Sequence, residues 1–279
     1  MAAAVALTLS STVRLSSGHT MPLLGFGVYQ NYSATPSVLE ALAVGYRHID
    51  SAQAYRNEAD VGKAVRESGV PRSDVFVTTK CLNPTHGYES TLGGVDTSLT
   101  KFGFDYIDLF LIHDPMSGPE RRIATWRALI ESRDKGKIRS IGVSNYGVKH
   151  LQEIQSAGLE LPAVNQIELH PYCQQKPIVA WCHEHNIVVQ AYCPIIRGKF
   201  DDPVIGDIAK KHLRDPAQIL IRWSLQRGFV PLPKSATPSR IRSNAQLYDF
   251  TLDEEDLGRL DALDRGKDGA VSWNPVDHA

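Results

Sequence analysis

The stretch YIDLFLIHDPMSGPERRIATWRALIESRDKGKIRSIGVSN, residues 106–145, decides the fold because it contains one complete strand-helix-strand unit. Its first part, at 106–113, is a short run of apolar and β-branched residues typical of a buried strand. Residues 120–136 then carry apolar side chains at helical spacing and end in a glycine. A second strand-like run at 138–145 completes the unit, which indicates parallel strands joined by a helical crossover.

The same alternation extends over most of the chain. Strand-like runs occupy residues 22–28, 47–52, 75–81, 106–113, 138–145, 163–169, 187–192 and 229–235. Segments with helical spacing separate them, for example residues 57–69, which also end in a glycine. Eight such units in 279 residues predict an α/β fold, a closed (β/α)8 TIM barrel. An open, doubly wound sheet is the alternative.

Both ends of the chain extend beyond the eight units. VRLSSGHTMPLL, residues 13–24, places Ser17 and Gly18 between two strand-like runs, which predicts an N-terminal β-hairpin that could close the bottom of the barrel. We expect an extra helix and a tail at the C-terminus. Because the sequence contains no linker, low-complexity tract or fixed-period repeat, we predict a single domain over residues 1–279.

The composition favours a small-molecule partner. Thirty basic and 31 acidic residues leave a formal charge of -1, so no global field attracts nucleic acid or an anionic membrane. No run approaches the ~20 apolar residues of a membrane span, and the N-terminal run lacks the basic start of a signal peptide. The cysteines have neither CxxC spacing nor disulfide-scaffold density, which predicts reduced thiols, no zinc site and a cytoplasmic location. They are Cys81, Cys173, Cys182 and Cys193.

Polar residues stand at the C-terminal ends of the predicted strands, where the active sites of this barrel lie. Taken alone, each of them could be a structural polar group with satisfied hydrogen bonds. Several that converge on one barrel mouth favour a functional site. They are Asp50, Lys80, His113, Ser144, Asn145, Gln166, Glu168, Tyr192 and Lys234.

Four residues near these strand ends suggest proton-transfer chemistry. Asp50 and Lys80 are expected to pair, because isolated buried charges are costly. Tyr55 follows the second strand, where a nearby ammonium would lower its pKa from about 10 and make it a better proton donor. His113 could orient a carbonyl oxygen. These groups can protonate an alkoxide but supply no hydride, so the chemistry needs a nicotinamide cofactor.

A candidate phosphate site lies late in the chain, in LPKSATPSRIRSN at residues 232–244. Its polar residues surround the predicted start of a helix, where free backbone N-H groups favour anions, and they follow strand eight, a usual phosphate position in this fold. A basic, solvated helix turn is the alternative. No GxGxxG follows the first strand, so a Rossmann-type site is not indicated. The residues are Lys234, Ser235, Arg240 and Arg242.

Over residues 13–273 the sequence resembles the aldo-keto reductases, including the 2,5-diketo-gluconate and aldehyde reductase-like members. The matching stretches are MPLLGFGVY, GYRHIDSAQAYRNEADVGKAV, TTKC, DYIDLFLIH, GKIRSIGVSN, VNQIELHPY, QAYCP and PKSATPSRIRSN. The resemblance implies NADPH-dependent reduction of aldehydes or ketones to alcohols. It implies a catalytic tetrad in which the tyrosine is the general acid and the histidine orients the carbonyl. This tetrad is Asp50, Tyr55, Lys80 and His113.

The resemblance also implies cofactor-binding residues. At the nicotinamide end, three side chains would hold the carboxamide and a tyrosine would stack on the ring. These are Ser144, Asn145, Gln166 and, for stacking, Tyr192. At the adenosine end, contacts to the 2'-phosphate favour NADPH over NADH, and an asparagine contacts adenine. These are Lys234, Ser235, Arg240 and, for adenine, Asn244. Two departures from the family pattern, Ser243 and a short loop at 193–203 with Arg197, predict a weaker adenine grip and easier cofactor exchange.

The predicted substrate pocket departs from the family pattern as well. Tyr29 and Leu82 occupy positions that often carry tryptophan, and Asp114 follows His113 where a bulky aromatic residue is common. Trp273 in the tail offers one large apolar wall. A more open and polar pocket favours small polar aldehydes, ketones, keto acids or keto esters.

Two other functions remain possible on this scaffold. A metal-dependent barrel hydrolase would use strand-end ligands, although its usual His-x-His on the first strand is missing and the basic turn would have no role. Its candidate ligands are His48, Asp50, Lys80, His113 and His170. A non-catalytic, cofactor-binding member of the same superfamily is the second. For the reductase we expect a small-molecule carbonyl substrate, no nucleic-acid or membrane partner, and a monomer or weak oligomer.

Overall fold

The described chain begins with the predicted hairpin. In the computed structural model, which describes residues 7–279, β1 (Thr12–Arg14) pairs antiparallel with β2 (Thr20–Pro22). The side chains of Leu15 and Met21 are buried in an apolar cluster to which the barrel strands also contribute. The hairpin therefore covers the bottom of the barrel, as the sequence predicts.

Eight parallel strands follow, each bonded to its neighbour in chain order. They are β3 (Phe26–Gly27), β4 (His48–Asp50), β5 (Phe76–Cys81), β6 (Ile107–Ile112), β7 (Ile138–Ser144), β8 (Val164–Glu168), β9 (Val188–Tyr192) and β10 (Val230–Pro231). Backbone hydrogen bonds of 3.0 Å from Gly25 N to Pro231 O and from Gly27 N to Pro233 O join the two ends of this sheet. The predicted barrel is therefore correct and the open-sheet alternative is wrong.

Helices alternate with these strands and pack on the outside of the barrel. They are α1 (Ala34–Val44), α2 (Glu58–Glu67), α3 (Tyr88–Phe102), α4 (Pro119–Asp134), α5 (Val148–Ser156), α6 (Lys176–Glu184), α7 (Pro203–His212), α8 (Pro216–Gln226), α9 (Pro238–Ser243) and α10 (Glu254–Asp261). Several begin with proline, whose fixed φ and missing N-H suit the first helical turn. Within the described residues, no helix is both long and apolar enough to cross a membrane.

The second half of the barrel carries two additional helices. α10 is the predicted C-terminal extra helix, and Asp253 caps it by accepting a 2.9 Å hydrogen bond from Asp256 N. Buried Trp223 of α8 donates its indole N-H to Asp261 Oδ1 at 2.8 Å, which docks α10 on the barrel. α7 lies between β9 and α8 and was not predicted. The assignment of residues 1–279 to one domain stays a prediction, and its first six residues lie outside the described part.

Candidate active site

The C-terminal ends of the barrel strands open into a cavity of about 930 Å³. Its lining includes fifteen of the sixteen predicted site residues, from strand ends, loops and the tail. They are Tyr29, Asp50, Tyr55, Leu82, His113, Asp114, Ser144, Asn145, Gln166, Tyr192, Lys234, Ser235, Arg240, Asn244 and Trp273. The sixteenth, Lys80, is fully buried and bonded to one of the lining residues. The fold therefore brings together residues that are far apart in sequence.

The predicted ion pair is present beneath the cavity. Lys80 Nζ, at the end of β5, donates to Asp50 Oδ1 of β4 at 2.6 Å and to the carbonyl oxygen of Ser51 at 2.8 Å. Gln166 Nε2 of β8 donates to the other carboxylate oxygen of Asp50 at 2.8 Å. Burial lowers the pKa of Lys80, and the attraction of Asp50 opposes that shift. The pair therefore holds two opposite charges in contact in a buried, hydrogen-bonded arrangement.

Tyr55 lies between this pair and the cavity. A short 3-10 turn at Gln53–Tyr55 places its ring so that Lys80 Nζ is 5.0 Å from the ring centroid. The ring of His113 stands edge-on, with its centroid 5.7 Å from that of Tyr55. A phenol and an imidazole that face one cavity can both bond the same carbonyl oxygen.

The direction of the Tyr55 pKa shift corrects the sequence-based expectation. Burial, followed by the charge of Asp50, raises the pKa of Tyr55 well above its usual range. The expected lowering by Lys80 does not prevail, because burial is the larger effect and the charge of Asp50 adds to it. Burial and the charge of Lys80 also lower the pKa of His113 to about 3. Near neutral pH the site therefore presents a protonated phenol beside a neutral imidazole.

The side chains predicted for the nicotinamide end form a hydrogen-bonded network. Asn145 Nδ2 donates to the carbonyl oxygen of His113 at 3.0 Å and to Ser144 Oγ at 3.2 Å, and Tyr192 OH donates to Asn145 Oδ1 at 2.7 Å. Ser144 Oγ donates to the carbonyl oxygen of Gln166 at 2.9 Å. Gln166 Oε1 accepts no hydrogen bond from residues 7–279 and lies at the cavity. It is therefore available to an amide N-H of a ligand.

The opposite end of the cavity is basic. Lys234 is half-buried and Arg240, on the short helix α9, is exposed at its rim. Arg242, which the sequence grouped with them, pairs instead with Glu40 on α1 and does not line the cavity. Asn244 is 4% exposed and lines this end together with Ser243 and Ser235. Lys234 and Arg240 suit a phosphate, and Arg242, which the sequence placed with them, does not contribute.

The predicted substrate residues surround Tyr55 and His113. The ring of Tyr29 is 5.0 Å from that of Tyr55, and the ring of Trp273 is 6.2 Å from that of His113, between centroids. Both outer rings are about half exposed, at 48% and 46%. Leu82 and Asp114 line the same end. Aromatic rings therefore flank the reacting groups, with one carboxylate beside them.

Glu168 holds the tail in this position, a role that sequence reasoning did not assign. Its carboxylate is fully buried at the end of β8 and accepts hydrogen bonds from the backbone N-H groups of Val271 and, at 3.1 Å, Ser272. The next residue is Trp273, whose carbonyl oxygen is 3.0 Å from Tyr192 OH. The signal was available, because a residue two positions after Gln166 on a strand points to the same face.

The residues named above for a metal-dependent hydrolase do not all meet at one place. His48 is packed in the barrel interior, with Nδ1 3.2 Å from the carbonyl oxygen of Pro22. His170 Nε2 bonds Glu168 Oε1 at 2.9 Å, on the side of the tail. Within residues 7–279 no three His, Cys, Asp or Glu side chains are grouped to hold a metal ion.

Comparisons with known proteins agree with this fold. A sequence model described as the Aldo/keto reductase family matches residues 23–265. Glyoxal reductase of Bacillus subtilis is 43% identical over 96% of this chain and 97% of its own length. Methylglyoxal reductase DkgA of Escherichia coli is 42% identical over 92% and 94%. A Bombyx mori aldo-keto reductase, solved in complex with NADP, has 33% identity and a TM-score of 0.89 over 96% and 97% of the two chains. The chain therefore belongs to the aldo/keto reductase family of oxidoreductases.

Proposed function

We propose that the protein reduces small aldehydes and ketones to alcohols with NADPH, and that Tyr55 donates the proton. The observation that carries this function is the position of the Tyr55 phenol, which faces the cavity beside His113 and above the Lys80–Asp50 pair. The glyoxal and methylglyoxal reductases named above and the NADP-bound structure support the same chemistry.

The residues of the cavity fit NADPH. Gln166 Oε1 has no partner within the described chain and suits the carboxamide N-H, with Ser144 and Asn145 beside it. Tyr192 offers a ring at the same end. The cations of the basic end suit the 2'-phosphate, with a serine and an asparagine beside them. When bound, NADPH supplies the hydride. The residues at the basic end are Lys234, Ser235, Arg240 and Asn244.

The protein's own groups then control the proton and the carbonyl. His113 is neutral, so an N-H of its ring can donate to the carbonyl oxygen and orient it. Tyr55 keeps its proton until that oxygen becomes an alkoxide, because burial and Asp50 make the phenol a weak acid. An alkoxide is a stronger base than a phenolate and takes the proton. The ammonium of Lys80, 5.0 Å from the ring centroid, stabilises the phenolate that remains.

The proposal also covers the substrate class, the oligomeric state and the location of the protein. Substrates are small polar carbonyl compounds that fit between Tyr29, Leu82, Asp114 and Trp273. We also propose that the protein acts as a monomer or weak oligomer, as one domain over residues 1–279, in the cytoplasm, without a nucleic-acid or membrane partner.

A binding and turnover experiment tests the function. The purified protein is titrated with NADPH and with NADH by fluorescence, and absorbance of the reduced nicotinamide is then followed with a panel of aldehydes, ketones and keto esters. Tighter binding of NADPH with turnover of a carbonyl is the expected result. Binding without turnover would favour a non-catalytic role, and no binding of either cofactor would refute the proposal.

A further inference from the structure

Asp114 places a carboxylate at the substrate end of the cavity, directly after His113. Its side chain is 4% exposed and lines the cavity with Leu82. The hydrogen bonds from Asn83 Nδ2, at 3.1 Å, and Met116 N, at 2.9 Å, both end on Oδ1. Oδ2 accepts no hydrogen bond from the described residues, and it is not fully enclosed by protein. One oxygen is therefore anchored and the other is open to a ligand.

The charge of Asp114 has no counterion at its end of the cavity. Across residues 7–279, no lysine, arginine or histidine nitrogen lies within 4.0 Å of its carboxylate. The other nearby carboxylate, Asp50, is already paired with Lys80. His113 next to it is neutral near pH 7, because burial lowers its pKa. The guanidinium of Arg122 donates to the carbonyl oxygen of Pro115, next to Asp114, but it is already paired with Glu153. Burial lowers the pKa of His86, the other basic group nearby. The local charge at the substrate end is therefore negative.

The cations of the cavity lie on the far side of the barrel. Lys234 and Arg240 follow β10, which is four strands from β6 in the ring of eight, and Asp114 follows β6. Arg197 and Asp215 follow β9, which is three strands from β6, and they carry charges of opposite sign. Two of these cations stand where a cofactor phosphate would bind. None of them is placed to offset Asp114.

From this arrangement we infer that Asp114 selects substrates by charge. Carbonyl compounds that carry a carboxylate are rejected and cationic ones are preferred. Neutral ones are favoured when an O-H or N-H group can donate to Oδ2. Hydroxyaldehydes, 2-oxoaldehydes and their hydrates, and amino-substituted aldehydes belong to the favoured class. This deepens the carbonyl reduction proposed above and rests on it, and it narrows the substrates by removing keto acids.

The expected size of the effect follows from Coulomb's law. Two like charges about 6 Å apart in a partly solvated site disfavour each other by roughly a hundredfold, and screening by water and salt leaves about tenfold. A keto acid should lose that factor in kcat/KM relative to its neutral methyl ester. A cationic aldehyde should gain a similar factor relative to a neutral one of the same shape.

Matched substrates and an isosteric variant test the inference. The kcat/KM values of pyruvate and methyl pyruvate, of 4-formylbenzoate and its methyl ester, and of a trimethylammonio-benzaldehyde are measured for the protein and for Asp114→Asn. Asparagine keeps the Oδ1 acceptor, so the contacts of Asn83 and Met116 persist. We expect the ester-to-acid ratio to fall about tenfold in the variant and the preference for the cation to fall as well. Added salt should shrink both preferences in the original protein.

A second carboxylate provides the control. Asp215→Asn removes a charge from the same cavity, at the start of α8, and should leave the ester-to-acid ratio unchanged. Equal ratios in the original protein and Asp114→Asn would overturn the charge selection while leaving carbonyl reduction intact. A failure to turn over any carbonyl would overturn the proposed function and this inference with it. If Asp114→Asn does not fold, Asp114→Ser also removes the charge, although it does not keep the Oδ1 acceptor, and the same ratios are measured.

Discussion

Lys80 Nζ lies 2.6 Å from Asp50 Oδ1 and 5.0 Å from the centroid of the Tyr55 ring, so one buried ammonium serves both an ion pair and a phenol. The two roles are separable. The pair concerns stability, because each ion would be costly alone in this buried site. The contact with Tyr55 concerns the reaction, because a phenolate forms there only after proton transfer.

A double variant separates these roles. Lys80→Met leaves Asp50 unpaired and should lower the free energy of unfolding by about 3 kcal/mol. Adding Asp50→Asn removes the orphaned charge and should restore most of that stability, but not turnover. Urea unfolding and NADPH oxidation are measured on both single variants and the double variant. A double variant with normal turnover would show that the ammonium plays no part in the reaction.

The preference for NADPH depends on Arg240. Arg240→Ala should weaken NADPH binding at least tenfold and leave NADH binding nearly unchanged, because only NADPH carries the 2'-phosphate. Arg242→Ala is the matched control. Arg242 lies on the same helix, but it pairs with Glu40 and does not line the cavity. Fluorescence titration measures the affinities of the original protein and of both variants for NADPH and for NADH. Equal losses for both cofactors would refute the phosphate contact.

The pH profile of reduction should show no change in rate near the usual pKa of a histidine. Burial lowers the pKa of His113 to about 3, so the ring stays neutral as the pH falls through the usual range of a histidine. The pKa of Tyr55 is raised, so the phenol stays protonated as the pH rises. We expect log kcat/KM for a non-ionising aldehyde to be nearly flat from about pH 5 to 8, because neither group titrates there. The account would be contradicted if kcat/KM fell below about pH 6.5 and this fall disappeared in Tyr55 or His113 variants, because one of these two groups would then titrate there.

Glu168 is expected to affect substrate binding by holding the tail residue Trp273 beside the substrate end of the cavity. Glu168→Gln weakens the hold on the N-H groups of Val271 and Ser272 and should raise KM for aldehydes large enough to touch Trp273. The affinity for NADPH and the kcat should change much less. In a Trp273→Ala background the same substitution should have a smaller effect on KM, because the wall is already missing. Equal effects in both backgrounds would indicate general destabilisation instead.

Much of the fold and the site could be predicted from the sequence because local patterns carry them. Apolar runs marked the strands, and parallel strands bring their ends to one edge, which placed Asp50, Lys80 and His113 together. The resemblance to the aldo-keto reductases assigned catalytic roles to these three residues. Their proximity followed from the fold, and their roles remain predictions for the experiments above.

What the sequence could not provide depends on distant contacts. The direction of the Tyr55 pKa shift depends on how deeply the ring is buried and on how close the charge of Asp50 lies, and sequence spacing encodes neither. Glu168 finds its partners more than a hundred residues later in the tail, so its role becomes visible only in three dimensions. Arg240 and Arg242 are two positions apart on α9 and therefore point to different sides of the helix, and only the packing in three dimensions shows that Arg242 meets Glu40 on α1.

The central claim is that Tyr55 donates the proton to the reduced carbonyl, and Tyr55→Phe tests it most directly. Phenylalanine keeps the ring that packs on Tyr29 and His113 and removes only the hydroxyl. We expect turnover of an aldehyde to fall by about 10²- to 10⁴-fold, while the Kd for NADPH, measured by fluorescence, stays nearly unchanged. An enzyme that keeps full turnover with phenylalanine at this position would contradict the account.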